Sequence, residues 1–111
     1  MEVVFDSKKL AKQCASDKSR SRTFGAERAK KLRMRITALN GATSMEDLRN
    51  VAGKFHNLTA NRAGQISASL DGSYRLIFEP VLEDDQSDGP MPEWSQITKV
   101  RILEIGDYHG A

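Results

Sequence analysis

Residues 65–79 read QISASLDGSYRLIFE, a pattern that predicts a β-hairpin. Apolar and polar residues alternate on both sides of Asp71-Gly72, a dipeptide typical of tight hairpin turns. Arg75 is expected on the face opposite the core, beside Ser67 or Ser69. The residues expected on the core face are Ile66, Ala68, Leu70, Tyr74, Leu76 and Phe78.

Three further segments have the composition of strands. Glu2–Phe5 is rich in β-branched residues, residues 54–58 form a second candidate, and residues 96–105 are apolar enough for a central strand. Residues 83–92 are acidic and contain Gly89, Pro90 and Pro92, so they are expected to form a loop whose edge is anchored by Trp94.

Two helices are predicted between the first strand and the hairpin. A short helix follows a cap at Asp6 or Ser7, and a longer one covers residues 24–40 and ends at Gly41. Residues 16–23 are polar without helical periodicity and are expected to form a loop. The predicted fold is α+β, with an N-terminal strand and two helices packed on a small, mostly antiparallel sheet. The apolar stripe of the longer helix is Ala29, Leu32, Ile36 and Leu39.

Composition limits the class of protein. The 111 residues fit one domain over residues 1–111, and no apolar run approaches the roughly 20 residues of a membrane span. The N-terminal residues lack the basic region followed by an apolar region that is typical of a secretory signal, so a cytoplasmic protein is expected. Cys14 is the single cysteine and cannot form an internal disulfide. The chain has only two histidines in addition to this cysteine, so neither a metal site nor a cofactor is expected.

The charge is distributed unevenly along the chain. Residues 1–56 carry 13 Lys and Arg against 6 Asp and Glu, whereas residues 57–111 carry 4 against 9. The densest stretch, residues 8–35, predicts attraction to a polyanion such as RNA, DNA or an acidic protein. The alternative is a set of solvated helix faces. The residues assigned to polyanion binding here are Lys8, Lys9, Lys12, Arg28, Lys31 and Arg35.

A possible catalytic cluster follows the last predicted strand. Gly106 should end that strand, and Asp107-Tyr108-His109 come directly after it. If the strand that carries His56 meets the last strand, the two imidazoles can flank one phosphate as general base and general acid. Arg75 and Arg62 are candidates to hold the phosphate. The alternative is that these side chains are solvated or only form ion pairs.

Several segments resemble the HigB toxins, the plasmid maintenance system killer branch of the RelE superfamily. The resemblance implies a RelE-like fold and a ribosome-dependent, metal-independent endoribonuclease that inhibits translation by cutting mRNA in the ribosomal A site. It also implies a HigA-like helix-turn-helix antitoxin, with the toxin monomeric alone and hetero-oligomeric in the complex. The matching segments are His56-Asn57-Leu58, Asn61-Arg62-x-Gly64, residues 72–78 and Asp107-Tyr108-His109, with residues 29–33 and 42–48 upstream.

The resemblance also assigns residue roles. The family commonly reads His-Pro-Leu-Lys-Gly where this chain reads His56-Asn57-Leu58-Thr59-Ala60. Thr59 thus replaces the lysine, and full catalytic strength is expected only if Lys54 or Arg62 takes its place. The loop at residues 83–92 is also longer and more acidic than usual. Two alternatives stay open: a ParE-like gyrase inhibitor, and a catalytically degenerate module that only binds an antitoxin. The catalytic positions implied are His56, Arg75, Asp107, Tyr108 and His109, with RNA contacts at Arg62 and Lys54.

Overall fold

The alternating segments form one sheet in the computed structural model, which describes residues 1–82 and 91–107. Its strand order is β1-β5-β4-β3-β2, with β1 parallel to β5 and the other neighbours antiparallel. The predicted α+β class and the mostly antiparallel sheet are therefore confirmed. The strands are β1 (Glu2–Phe5), β2 (His56–Asn57), β3 (Ile66–Asp71), β4 (Tyr74–Pro80) and β5 (Lys99–Asp107).

The helices are α1 (Lys8–Gln13), α2 (Asp17–Phe24) and α3 (Ala26–Gly41). Helices α1 and α3 pack on the sheet, and α2 packs mainly on α3. Ser7 caps α1, because its hydroxyl accepts a hydrogen bond from the Leu10 backbone N–H at 3.1 Å. No helix in the described part of the chain has the length and apolar character needed to cross a bilayer.

The segment 16–23, predicted to be a loop, forms most of α2, so that prediction was wrong. Local polar contacts stabilise this helix. The Ser16 hydroxyl accepts from the Ser19 N–H at 3.1 Å, and the Arg20 guanidinium donates to Asp17 and to the Cys14 carbonyl, both at 2.5 Å. Phe24 then packs against the core. Hydrophobic periodicity could not reveal a helix that is stabilised by its cap and its ion pair.

The core lies between α3 and the inner face of the sheet. Leu32 and Leu39 of α3 are fully buried, as expected from the apolar stripe. The hairpin has the predicted form, with Asp71 opposite Tyr74 and Gly72 at a φ of 54° in the turn. The fully buried sheet residues that α3 covers include Ile66, Leu76, Phe78, Val100 and Ile102.

Candidate functional site

The face of the sheet opposite α3 carries several of the polar residues that the sequence singled out. Side chains alternate across a strand, so residues in register on neighbouring strands share a face. We call this the open face because it lies opposite the helices, although Ser67 and Ile77 at its centre are buried. One row across it is His56, Ser67, Ile77 and Glu104, and the next row is Ser69, Arg75 and Gly106.

Arg75 lies on the open face of β4, as predicted. Its Nη1 donates to the Gly72 carbonyl at 2.6 Å and to the Tyr74 carbonyl at 3.1 Å. These two contacts hold the guanidinium at the hairpin end of the sheet. Because a guanidinium has five N–H donors, an arginine anchored through one nitrogen can still bind an anion with the others.

Strand β5 continues through Gly106, so the prediction that this glycine ends the strand was wrong. Gly106 pairs with Arg75 and Asp107 pairs with Tyr74, because antiparallel pairing with β4 persists up to the hairpin turn. The Asp107 carboxylate accepts a hydrogen bond from the Ser73 hydroxyl at 2.7 Å. Tyr108 and His109, which were predicted to be catalytic, lie outside the described residues.

His56 is exposed on β2, and both nitrogens of its ring have partners. Nδ1 lies 3.1 Å from the Asn57 carbonyl, which can only accept, so Nδ1 carries a proton. In the neutral ring Nε2 then accepts from the Ser67 hydroxyl, 3.3 Å away.

The strand of His56 does not meet the last strand, because β3 and β4 lie between β2 and β5. With neighbouring strands about 4.8 Å apart, β2 and β5 are roughly 14 Å apart. The condition under which both histidines flank one phosphate is therefore not satisfied. Asp107 and Arg75 lie together at the hairpin end of the sheet, and His56 stands apart from them.

Arg62 lies in a short 3-10 turn, Ala60–Arg62, and reaches across the open face. Its Nη1 donates to the Glu104 carboxylate at 2.6 Å and to the Gln65 side-chain oxygen at 3.2 Å. Glu104 belongs to β5, so this ion pair joins the connection between β2 and β3 to a strand on the far side of β4. Glu104 was not among the residues predicted for the site, although a lone acidic residue within the largely apolar segment 100–105 is a usable signal.

The basic residues near the N-terminus lie on the helical side of the sheet. Lys8, Lys9 and Lys12 are exposed on α1, and Lys31 is half-buried on α3. Arg28 is also half-buried, with its guanidinium carbon 3.9 Å from the centre of the Tyr74 ring. Lys54 is exposed just before β2. The predicted RNA-binding residues therefore form two groups, on opposite sides of the sheet.

Arg35 does not belong to an exposed basic surface, which corrects its assignment to polyanion binding. It is 8% exposed, and its Nε donates to the Ser69 carbonyl at 2.8 Å. Burial lowers the pKa of its guanidinium. The Ser69 N–H in turn donates to the Gly53 carbonyl at 2.7 Å. Arg35 and Gly53 thus satisfy the edge of β3 beyond the end of β2.

A cavity of about 380 Å³, which we call the β2 cavity, lies beside the edge strand. Trp94 is buried there, as expected of an anchor, and its Nε1 donates to the Asn57 side-chain oxygen at 2.8 Å. The Arg49 guanidinium stacks 4.8 Å above the Trp94 ring. The cavity is lined by Arg49, Phe55, His56, Asn57, Met91, Pro92, Glu93 and Trp94.

Metal ligands are not clustered in the part of the chain that the structure describes. Over residues 1–82 and 91–107, no three His, Cys, Asp or Glu side chains are placed to hold a metal ion together. The polar groups of the open face are instead arginines, a histidine, carboxylates and hydroxyls. Such groups can bind a phosphate and transfer protons.

Comparison with known proteins gives the family. The model of HigB-like toxins, RelE-like toxins of the type II toxin-antitoxin system HigB, matches residues 4–87. A YoeB/ParE toxin from Agrobacterium tumefaciens has a similar fold, with a TM-score of 0.59 at 13% identity over 97% of this chain and 99% of that one. A chain of the YoeB-YefM complex from Staphylococcus aureus has a TM-score of 0.55 at 15% identity, over 96% of this chain and 94% of that one. No curated protein matches the sequence. The extent of the family match, over most of the chain, shows that this protein belongs to the HigB-like family of RelE-like type II toxins.

Proposed function

We propose that this toxin is a ribosome-dependent mRNA endoribonuclease that inhibits translation. The observation that carries the proposal is the pairing of Arg75 with Gly106 on the open face. His109 is three residues after Gly106, and each residue spans at most about 3.6 Å. Its backbone therefore stays within about 11 Å of Gly106, a separation that permits the imidazole to approach a phosphate on Arg75.

Cleavage of the RNA requires three chemical events. A base takes the proton from a ribose 2′-OH, which attacks the adjacent phosphorus. A cation stabilises the charge that grows on the phosphate, and an acid protonates the departing 5′-oxygen. We assign the cation to Arg75 and proton transfer to His109, with Asp107 and Tyr108 beside it. His56 lies on β2, three strands from β5, and we assign it to a neighbouring nucleotide.

The ribosome would be bound through the helical side. Lys8, Lys9 and Lys12 are exposed on α1, and phosphates of ribosomal RNA attract such a surface without need of a particular sequence. Lys54 and Arg62, at the border of the open face, are assigned to the mRNA. The two groups of cations then have separate partners.

An antitoxin is the second proposed partner. The Staphylococcus aureus neighbour is a YoeB-YefM complex. We propose that this chain, monomeric alone and acting in the cytoplasm, is neutralised in a hetero-oligomer with a HigA-like helix-turn-helix antitoxin.

The proposal is tested by primer-extension mapping of an mRNA on programmed ribosomes. We expect cuts at A-site codons that need ribosomes and that disappear with His109→Ala, while that variant still binds ribosomes. Cleavage by His109→Ala at the wild-type rate overturns the role of His109.

A folded wild-type toxin that makes no cuts contradicts the nuclease altogether. Inhibition of gyrase supercoiling would then identify a ParE-like inhibitor. Normal growth after strong induction without antitoxin would identify a degenerate antitoxin-binding module.

A further inference from the structure

The β2 cavity lies beside His56, at the edge of the sheet farthest from β1. Its lining combines a cation, an amide and a carboxylate, contributed by Arg49, Asn57 and Glu93. At about 380 Å³ it has room for a single nucleobase. The mechanism proposed above uses none of these three side chains, so their arrangement needs its own explanation.

The amide of Asn57 is held in one orientation. Trp94 Nε1–H can only donate, and it lies 2.8 Å from Asn57 Oδ1, so the oxygen must face the indole. The amide NH₂ is therefore turned away from Trp94. Since Asn57 is exposed and lines the cavity, it presents N–H donors to an occupant.

Arg49 and Trp94 form the support for this arrangement. Trp94 is 6% exposed, and Arg49 stacks over its ring. Arg49 also binds Glu46 through two nitrogens, one of them, Nη2, at 3.2 Å from Oε1. Its guanidinium lowers the pKa of the Glu46 carboxyl. The indole that orients the Asn57 amide is therefore itself held in place. A hydrogen bond contributes to recognition when its donor is oriented before the ligand binds.

We propose that the β2 cavity binds a guanine base of the RNA and thereby selects where the toxin cuts. The choice of RNA as the ligand rests on the proposed nuclease function. Guanine offers an acceptor, O6, beside its N1–H and N2–H donors. The Asn57 amide can donate to O6, and the Glu93 carboxylate can accept from both N–H groups. Adenine, cytosine and uracil do not present one acceptor beside two N–H donors in this arrangement.

This base-binding site depends on a residue that departs from the family pattern. Proline commonly stands where this chain has Asn57, and proline has no side-chain donor. A preference for guanine would therefore be a property of this chain and of relatives that share the asparagine, and it would not extend to the family as a whole.

Trp94, the single tryptophan of the chain, allows a direct test without ribosomes. Its fluorescence is titrated with GMP, AMP, CMP and UMP on the intact toxin. We expect saturable quenching by GMP with an affinity about tenfold above that of the other three, which corresponds to the discrimination of one good base contact. Equal affinity for all four nucleotides overturns the proposal.

Asn57→Asp is the decisive variant, because the carboxylate still accepts from Trp94 but no longer donates to O6. We expect its affinity for GMP to fall about tenfold, and Glu93→Gln to lower it as well. Asn40→Ala, an exposed asparagine at the end of α3, is the control and should bind GMP as the wild type does. Unchanged GMP binding by Asn57→Asp contradicts the proposal.

Cleavage mapping gives an independent readout. On programmed ribosomes, Asn57→Asp should cut with a reduced preference for guanine at one position near the scissile bond. If the wild type makes no cuts, the nuclease proposal fails, while the titration still decides whether the cavity binds guanine. If the wild type cuts and Asn57→Asp keeps the same sites, the selection of cleavage sites by this cavity is excluded.

Discussion

The helical side and the open face of the sheet carry basic residues in different ways. On α1, Lys8, Lys9 and Lys12 extend into solvent, where they contribute to a diffuse positive field. On the open face, Arg75 is held by backbone carbonyls and Arg62 by the Glu104 carboxylate. A diffuse field attracts nucleic acid of any sequence, whereas an oriented guanidinium can recognise one phosphate. The difference suggests docking on the first side and chemistry on the second.

The largest effect is expected from Arg75→Ala. Removing a donor aimed at the charge that develops on a phosphate costs about 10²- to 10³-fold in rate. Single-turnover cleavage on programmed ribosomes measures it, and urea unfolding checks that the variant is folded. Arg101→Ala, a β5 arginine that pairs with Glu79 at 3.1 Å, is the control and should lose less than about tenfold. Equal losses in both variants would remove the special role of Arg75.

Arg35→Ala should have the next largest effect, on stability. The change leaves the Ser69 carbonyl without its partner and opens a gap beside Gly53, so we expect a loss of about 2–4 kcal/mol in the free energy of unfolding. Arg33→Ala, on the exposed part of the same helix, should change it by less than about 0.5 kcal/mol. Urea denaturation of both variants compares them. Similar stability of the two would show that Arg35 contributes as a surface residue.

Charge reversal on α1 tests the helical side. The triple variant Lys8→Glu, Lys9→Glu and Lys12→Glu should bind ribosomes roughly tenfold more weakly, with a shallower dependence on salt. Binding is measured by cosedimentation at several salt concentrations. Nucleotide binding at the β2 cavity should not change, because α1 packs against β1, at the edge of the sheet opposite β2. An unchanged salt dependence would mean that ribosomal RNA does not contact this helix.

The smallest effect is expected in the turn that carries Arg62. Ala60 has a φ of 56°, in the left-handed region where a Cβ is unfavourable. Ala60→Gly should therefore raise the free energy of unfolding by about 0.5–1 kcal/mol. Ala63→Gly, at a φ of −55° in the same turn, should lower it by a similar amount. Urea midpoints that move in the same direction for both variants would contradict this explanation. The glycine common in the family at position 60 fits the same backbone.

Much of the fold was predictable because its signals are local. The hairpin at residues 65–79 follows from alternation and the first strand from its β-branched residues, and the strand pairing confirms both. The stripe on α3 follows from helical periodicity, and the burial of Ala29, Leu32 and Leu39 confirms it. Strand ends were less accurate. The predicted strand 54–58 shortens to β2, and the predicted strand 96–105 lies at β5, shifted toward the C-terminus.

The remaining features depend on contacts between distant residues. Arg35 looks like a surface residue in the sequence, and only the approach of Gly53 and Ser69 explains its burial. The ion pair of Arg62 with Glu104 and the bond of Trp94 to Asn57 join segments that no periodicity relates. The distance between His56 and β5 is likewise set by strand order. Composition indicated the residue types of the candidate site, and topology decided which of them meet.

The parallel pairing of β1 with β5 has a consequence for how the chain becomes a toxin. Glu2 pairs with Lys99, so β1 can join the sheet only after β5 has been synthesised. Contacts this remote in sequence form slowly, since the intervening chain must be ordered first. Gly106 is placed beside Arg75 by the same late strand. During synthesis the nascent chain therefore stays without its proposed active site until β5 has been translated, which delays the proposed activity against the ribosome that is making it.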